Sequence, residues 1–124
     1  MNLSDEKILI IDDNADVLQT FVHTLTSQNK GCHITGYRDA RKALERMKEE
    51  HFDVILFDHD LLCMVGDEFY TQARELNDMA VYVCITGSEI KNKRYAVIQK
   101  PFDLADLSST IEQEKRKETL NETN

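Results

Sequence analysis

The sequence predicts an α/β fold, a mostly parallel sheet with helices on both faces, and two observations carry that prediction. Short apolar runs alternate with helix-patterned segments along the chain, and those runs are unbroken rather than alternately polar. An unbroken β-branched run suits a strand covered on both faces, whereas a half-solvated strand wants every second residue polar. At 124 residues the chain has the usual size for one domain, so one core is expected.

Lys7–Ile11 is the first such run. Asp13 or Asn14 can cap the helix that follows, in which Val17, Leu18, Phe21, Val22 and Leu25 fall on one stripe. Gly31 closes that unit, and His33–Tyr37 offers a weaker second strand. Residues 39–50 are helix-patterned, with Ala40, Ala43, Leu44 and Met47 inward, and 52–57 is the third strand. A helix is predicted over 66–77 with Phe69, Tyr70, Ala73 and Leu76 as its apolar face. Residues 80–85 and 95–98 are the fourth and fifth strands, and Asp103 starts a last helix carrying Leu104, Leu107 and Ile111. From Glu112 onward the sequence is almost wholly polar, which reads as a fraying helix end and tail. The expected division is therefore a domain over 1–111 and a polar end over 112–124.

One connection is short. Nine residues, 86–94, join strands four and five, fewer than the ~10–12 of a parallel crossover with its helix. Ile90 is the one large apolar residue in it, so at most a turn of helix is expected there.

Composition excludes several functions. Fifteen basic and 23 acidic residues give a net charge of −8, which repels nucleic acid and anionic membrane surfaces. No stretch is long and apolar enough to cross a bilayer, and the N-terminus has two acids before a run of four apolar residues. A cytoplasmic protein is expected. Cys32, Cys63 and Cys84 form no C-x-x-C pair and no zinc-ligand spacing, so reduced thiols are expected rather than disulfides or a metal site.

Ligands of open parallel sheets gather outside the carboxyl ends of the strands. Asp12 and Asp13 follow strand one, Asp58 and Asp60 follow strand three, Thr86 follows strand four, and Lys100 follows strand five. Clustered carboxylates repel one another unless a hard cation neutralises them, and Mg²⁺ favours carboxylate, water and phosphate oxygens. An aspartate can attack a phosphoryl group, and an ammonium and a hydroxyl can then hold its oxygens. Lys100 precedes the sequence's one proline, a candidate cis bond. Each residue alone has a plainer explanation: Asp12 and Asp13 as helix caps, Asp58 as a turn residue, Asp60 as a solvated loop acid, Thr86 as structural, Lys100 as a surface cation. Their joint placement at strand ends favours the functional reading. His59, next to Asp58, has no second histidine or cysteine to support an acid/base role.

Asp12-Asp13, Asp58, Thr86-Gly87 and Lys100-Pro101-Phe102, in that order, resemble the receiver domain of bacterial two-component response regulators. The resemblance runs from about Lys7 to Ile111. It implies a single flavodoxin-like, doubly wound, five-stranded parallel sheet in the order 2-1-3-4-5, with the family's fourth helix shortened or missing here. It implies that Asp58 is the phosphoacceptor of a two-component phosphorelay, taking phosphate from a sensor histidine kinase or phosphotransfer protein. Asp13 and Asp58 would bind Mg²⁺ with the backbone carbonyl of Asp60, Asp12 acting through water, while Thr86 and Lys100 contact phosphoryl oxygens. Gly87 matches the family's small residue beside the phosphoryl group, and Gly66 the glycine that opens its third helix. With no output domain in these residues, signalling would proceed as a stand-alone receiver docking to a downstream protein. The protein would not be an enzyme beyond its own dephosphorylation.

Three departures bear on this. Leu62 stands where the family often has proline, and Val97 stands where it has an aromatic switch residue, three before the lysine; Tyr95 lies five before it. The short link removes part of the usual signalling face. An apolar strip left uncovered on strands four and five would mark a homodimer or partner surface. Two rival readings are a phosphate-independent receiver-like interaction module and a haloacid-dehalogenase-type phosphatase, suggested by the Asp58-x-Asp60 pair. The second fails on chain order, since in that family the metal-binding acidic pair comes last.

Overall fold

The computed structural model describes residues 5–28, 31–87, 89–90 and 94–123, side chains of 118–123 excepted. Its elements are β1 (Lys7–Ile11), α1 (Ala15–Gln28), β2 (His33–Tyr37), α2 (Ala40–Met47), β3 (Val54–Asp58), α3 (Gly66–Leu76), β4 (Val81–Thr86), β5 (Ala96–Gln99) and α4 (Leu104–Thr123). The five strands form one parallel sheet in the order β2-β1-β3-β4-β5, the doubly wound arrangement expected from the sequence.

Strand position explains strand composition. β1, β3 and β4 lie inside the sheet and are almost entirely buried, whereas the edge strands β2 and β5 are partly exposed, as their weaker apolar runs foretold. Side chains alternate between two layers. Leu9, Ile11, Ile55, Phe57, Tyr82 and Cys84 pack toward α2 and α3. Ile8, Ile10, Val54, Leu56, Val83 and Ile85 pack with Leu18 and Leu25 of α1 and Leu107 and Ile111 of α4. Val17, expected on the α1 stripe, is instead exposed.

Side chains close the helix starts. Asn14 accepts the Val17 N–H at 3.1 Å, and Asp39 accepts the Arg41 N–H at 2.9 Å. Asp103 does the same for Asp106 at 2.8 Å. Gly31 closes the first βα unit at φ 101, a left-handed conformation that glycine adopts without steric cost. The α4 backbone stays helical through the polar end to Thr123.

No helix separates β4 from β5 among the described residues. The single turn allowed there falls partly on Ser88 and residues 91–93, which lie outside the described residues. The expected apolar strip is not seen among the described residues. Among the described residues the exposed large hydrophobics are Val17, Leu62, Val65 and Met79, none of them on β4 or β5. Aromatic rings close that side instead. Tyr95 meets Phe57 edge-on at 5.2 Å and packs tilted against Tyr70 at 4.8 Å, Tyr70 meets Tyr82 edge-on at 5.1 Å, and Ile90 packs onto the same layer. The Tyr95 hydroxyl donates to Asp67 of α3. Rings on α3 and just before β5 thus fill the space beside the inner strands.

Candidate functional site

Register brings the site together. Ile11 of β1 pairs with Phe57 of β3, so the next residues, Asp12 and Asp58, emerge side by side at the carboxyl edge. Thr86 of β4 pairs with Gln99 of β5, and the Lys100 N–H donates to the Thr86 carbonyl at 2.7 Å. The Asp12 N–H donates to the Tyr37 carbonyl of β2 at 3.1 Å, anchoring the acidic turn at the other side. The Lys100–Pro101 peptide is cis.

Asp12, Asp13 and Asp58 each offer a carboxylate oxygen within 4.8 Å of the others. Lys100 Nζ lies 3.6 Å from Asp12 Oδ2 and 3.8 Å from Asp58 Oδ2. Asp12 is buried, and Asn14 N–H donates to its Oδ1 at 2.9 Å. Burial raises the Asp58 pKa above the ordinary carboxylate value. The Asp60 N–H, 3.3 Å from Asp58 Oδ1, and the Lys100 ammonium act against that rise, while Asp12 and Asp13 add to it. Three acids thus crowd together while the one ammonium beside them reaches only Asp12 and Asp58, an arrangement short of positive charge.

Thr86 is fully buried at the end of β4. The Asp60 side chain is exposed and stands outside the carboxylate cluster; its backbone N–H is what reaches Asp58. The loop after β3 is fixed by the backbone of His59, whose N–H donates to Ile85 at 3.3 Å and whose carbonyl accepts from Gly66 at 2.7 Å. A Cβ at Gly66 would lie 3.0 Å from the His59 Cα and 3.3 Å from its Nδ1, so α3 can start this close only with glycine. His59 Nδ1 is buried against that glycine and has no hydrogen-bond partner among the described residues. A Cβ at Gly87 would meet open space.

Sequence reasoning missed Arg38. Its Nε donates to the Asp13 carbonyl at 3.2 Å, tying the acidic turn to the residue that follows β2. A cation directly after an edge strand was the available signal, and alone it is indistinguishable from a solvated surface residue.

Comparison with known proteins decides the family. The sequence matches the response regulator receiver domain over residues 8–112. This chain belongs to the response regulator receiver domain family. Its relatives include the response regulator receiver protein CpdR of Brucella abortus, 30% identical over 115 residues, which cover 86% of this chain and 94% of that one. A protein-glutamate methylesterase/protein-glutamine glutaminase of Geobacter metallireducens is 35% identical over 104 residues, 77% of this chain but 29% of that protein. Among solved structures, a CheY-like receiver domain protein from Methanospirillum hungatei superposes with a TM-score of 0.81 at 24% identity, covering 95% of this chain and 99% of that one. The receiver family is a phosphoacceptor family of two-component signalling. Among the described residues no helix is long and apolar enough to cross a membrane.

Proposed function

We propose that this receiver domain is a phosphorylation switch in which Asp58 accepts a phosphoryl group from the phosphohistidine of a sensor histidine kinase or phosphotransfer protein. The observation that carries the reading is the convergence of Asp12, Asp13 and Asp58 within 4.8 Å beside the Lys100 ammonium. A carboxylate oxygen of Asp58 attacks phosphorus; the phosphorus–nitrogen bond to the imidazole breaks as the new phosphorus–oxygen bond forms. The imidazole leaves with the electron pair. Lys100, within ion-pairing distance of Asp58, holds one phosphoryl oxygen, and the Thr86 hydroxyl holds another.

Three oxygen donors of this kind suit a hard divalent cation. Asp13 and Asp58 would hold Mg²⁺ directly with the Asp60 backbone carbonyl, and Asp12 through water. When bound, the ion supplies the positive charge that three carboxylates and an incoming phosphoryl group lack. Water later hydrolyses the acyl phosphate, so the protein resets itself and turns over no separate substrate.

Tyr95 is held by Phe57, Tyr70 and Asp67, and Val97 has no ring to swing, so signalling is assigned to the loop after Thr86 and to docking of a downstream protein in the cytoplasm. The test is incubation with a small phosphodonor and Mg²⁺ followed by intact mass. One phosphate should appear, and it should vanish in Asp58→Asn and on adding EDTA. An adduct that survives the substitution would sink the assignment.

A further inference from the structure

The end of the sheet away from the acidic crevice carries a small pocket of opposite charge. It lies at the starts of β4 and β5, beside the last turns of α3, and holds about 110 Å³. Arg74, Arg94 and Lys117 line it, with Glu114 as the one acid among the described residues, alongside the rings of Tyr70 and Tyr82. Lys117 pairs with Glu114 at 3.0 Å, so the pocket's further cationic groups among the described residues are the guanidinium groups of Arg74 and Arg94.

The guanidinium groups are held in place rather than waving in solvent. Both lie over the Tyr70 ring, Arg74 at 5.6 Å and Arg94 at 4.9 Å from its centroid. Arg74 donates to the Tyr70 hydroxyl at 2.8 Å, that hydroxyl donates to the Arg94 carbonyl at 2.8 Å, and Arg94 donates to Thr71 Oγ1 at 2.6 Å. Among the described residues no carboxylate lies within ion-pairing distance of Arg74. Two planar forks fixed on one ring form a preorganised oxyanion receptor, since the ordering of long side chains that binding normally demands is already done. The volume sets the size of the guest. Sites for whole small molecules start near about 300 Å³, so this one admits a single charged group.

We propose that this pocket binds an oxyanion, a carboxylate or phosphoryl group, either free in solution or as an acidic side chain of a partner protein. The site is independent of Asp58 and stands or falls apart from the phosphoacceptor reading.

The experiment is a titration of the full chain, with arginine Nε–Hε signals followed by NMR, in EDTA and at constant ionic strength set with chloride. One arm uses inorganic phosphate and the other a capped tetraglutamate peptide. Arg74 and Arg94 signals should shift saturably in at least one arm. Tighter binding of phosphate would identify a free anion, and tighter binding of peptide a partner's acidic segment. Arg74→Gln should weaken binding about tenfold, the loss of one charge-assisted pair. Lys117→Gln, at an exposed site where folding is not at stake, should weaken it less, and neither change should alter phosphate uptake at Asp58. Shifts that fail to saturate in both arms, or affinities unchanged in both variants, would overturn the proposal.

Discussion

The two ends of the sheet hold polar clusters of opposite construction. At the carboxyl end, Asp12, Asp13 and Asp58 crowd within 4.8 Å, and Lys100 is within ion-pairing distance of Asp12 and Asp58. At the other end donors and acceptors match. The Asn77 side chain accepts the buried Phe52 N–H at 2.7 Å, its carbonyl accepts the Tyr82 hydroxyl at 2.6 Å, and Tyr70 both accepts from Arg74 and donates to the Arg94 carbonyl. Matched hydrogen bonds hold a fold together, whereas crowded like charges cost stability and persist where a ligand relieves them. The carboxyl end trades stability for chemistry, and the other end mainly secures the framework.

Substitutions at the two ends should therefore separate reaction from stability. The largest effect is expected from Asp58→Asn, which should abolish the phosphate adduct seen by intact mass. The same change should raise the melting temperature at pH 7. Because burial raises the Asp58 pKa in the folded state, the proton on Asp58 favours folding; that contribution is present below the ordinary carboxylate pKa and lost as pH rises through the folded value. Ionised Asp58 thus works against the fold at neutral pH, and the thermal gain of Asp58→Asn should disappear on acidification. A gain that grew toward low pH would reverse the sign argued here.

Tyr95→Ala should do the converse. Removing a buried ring that packs on Phe57 and Tyr70 should cost about 3–5 kcal/mol in urea unfolding, while the folded fraction still takes phosphate. Loss of phosphate uptake in molecules that remain folded would show that the two ends are coupled. Mg²⁺ at a hundredfold above its dissociation constant should stabilise the protein by about 2.7 kcal/mol, and Asp13→Asn should largely remove that increment. Stabilisation of equal size in the variant would place the ion elsewhere. Asn77→Ala should cost about 1–3 kcal/mol by leaving the Phe52 N–H without its acceptor, with the Mg²⁺ response intact.

Much of this was legible in the sequence, and the exceptions share a cause. The strands declared themselves because unbroken runs such as Lys7–Ile11 suit only burial on both faces, and the acids and lysine are found by where those runs stop. The short link was legible as an absence. What filled the gap was not, because a tyrosine five residues before Lys100 gives no hint that it turns inward onto Phe57 and reaches Asp67. The uncovered apolar strip expected on β4 and β5 failed for that reason. Arg38 and Val17 went astray similarly: which side chain a cation meets, or which edge of a helix faces water, depends on elements distant in the chain.

Helix α4 has a mechanical implication. Ile111 is its last buried residue among those described, and the helix continues to Thr123. It stays against the domain for another turn and a half, because Lys115 pairs with Glu6 and Glu114 and Lys117 line the pocket at the starts of β4 and β5; residues 118–123 then add about 9 Å of helix at ~1.5 Å each. A reporter fused at Thr123 through a helical spacer would swing about 100° around that axis for each residue inserted, so its orientation could be dialled by length alone.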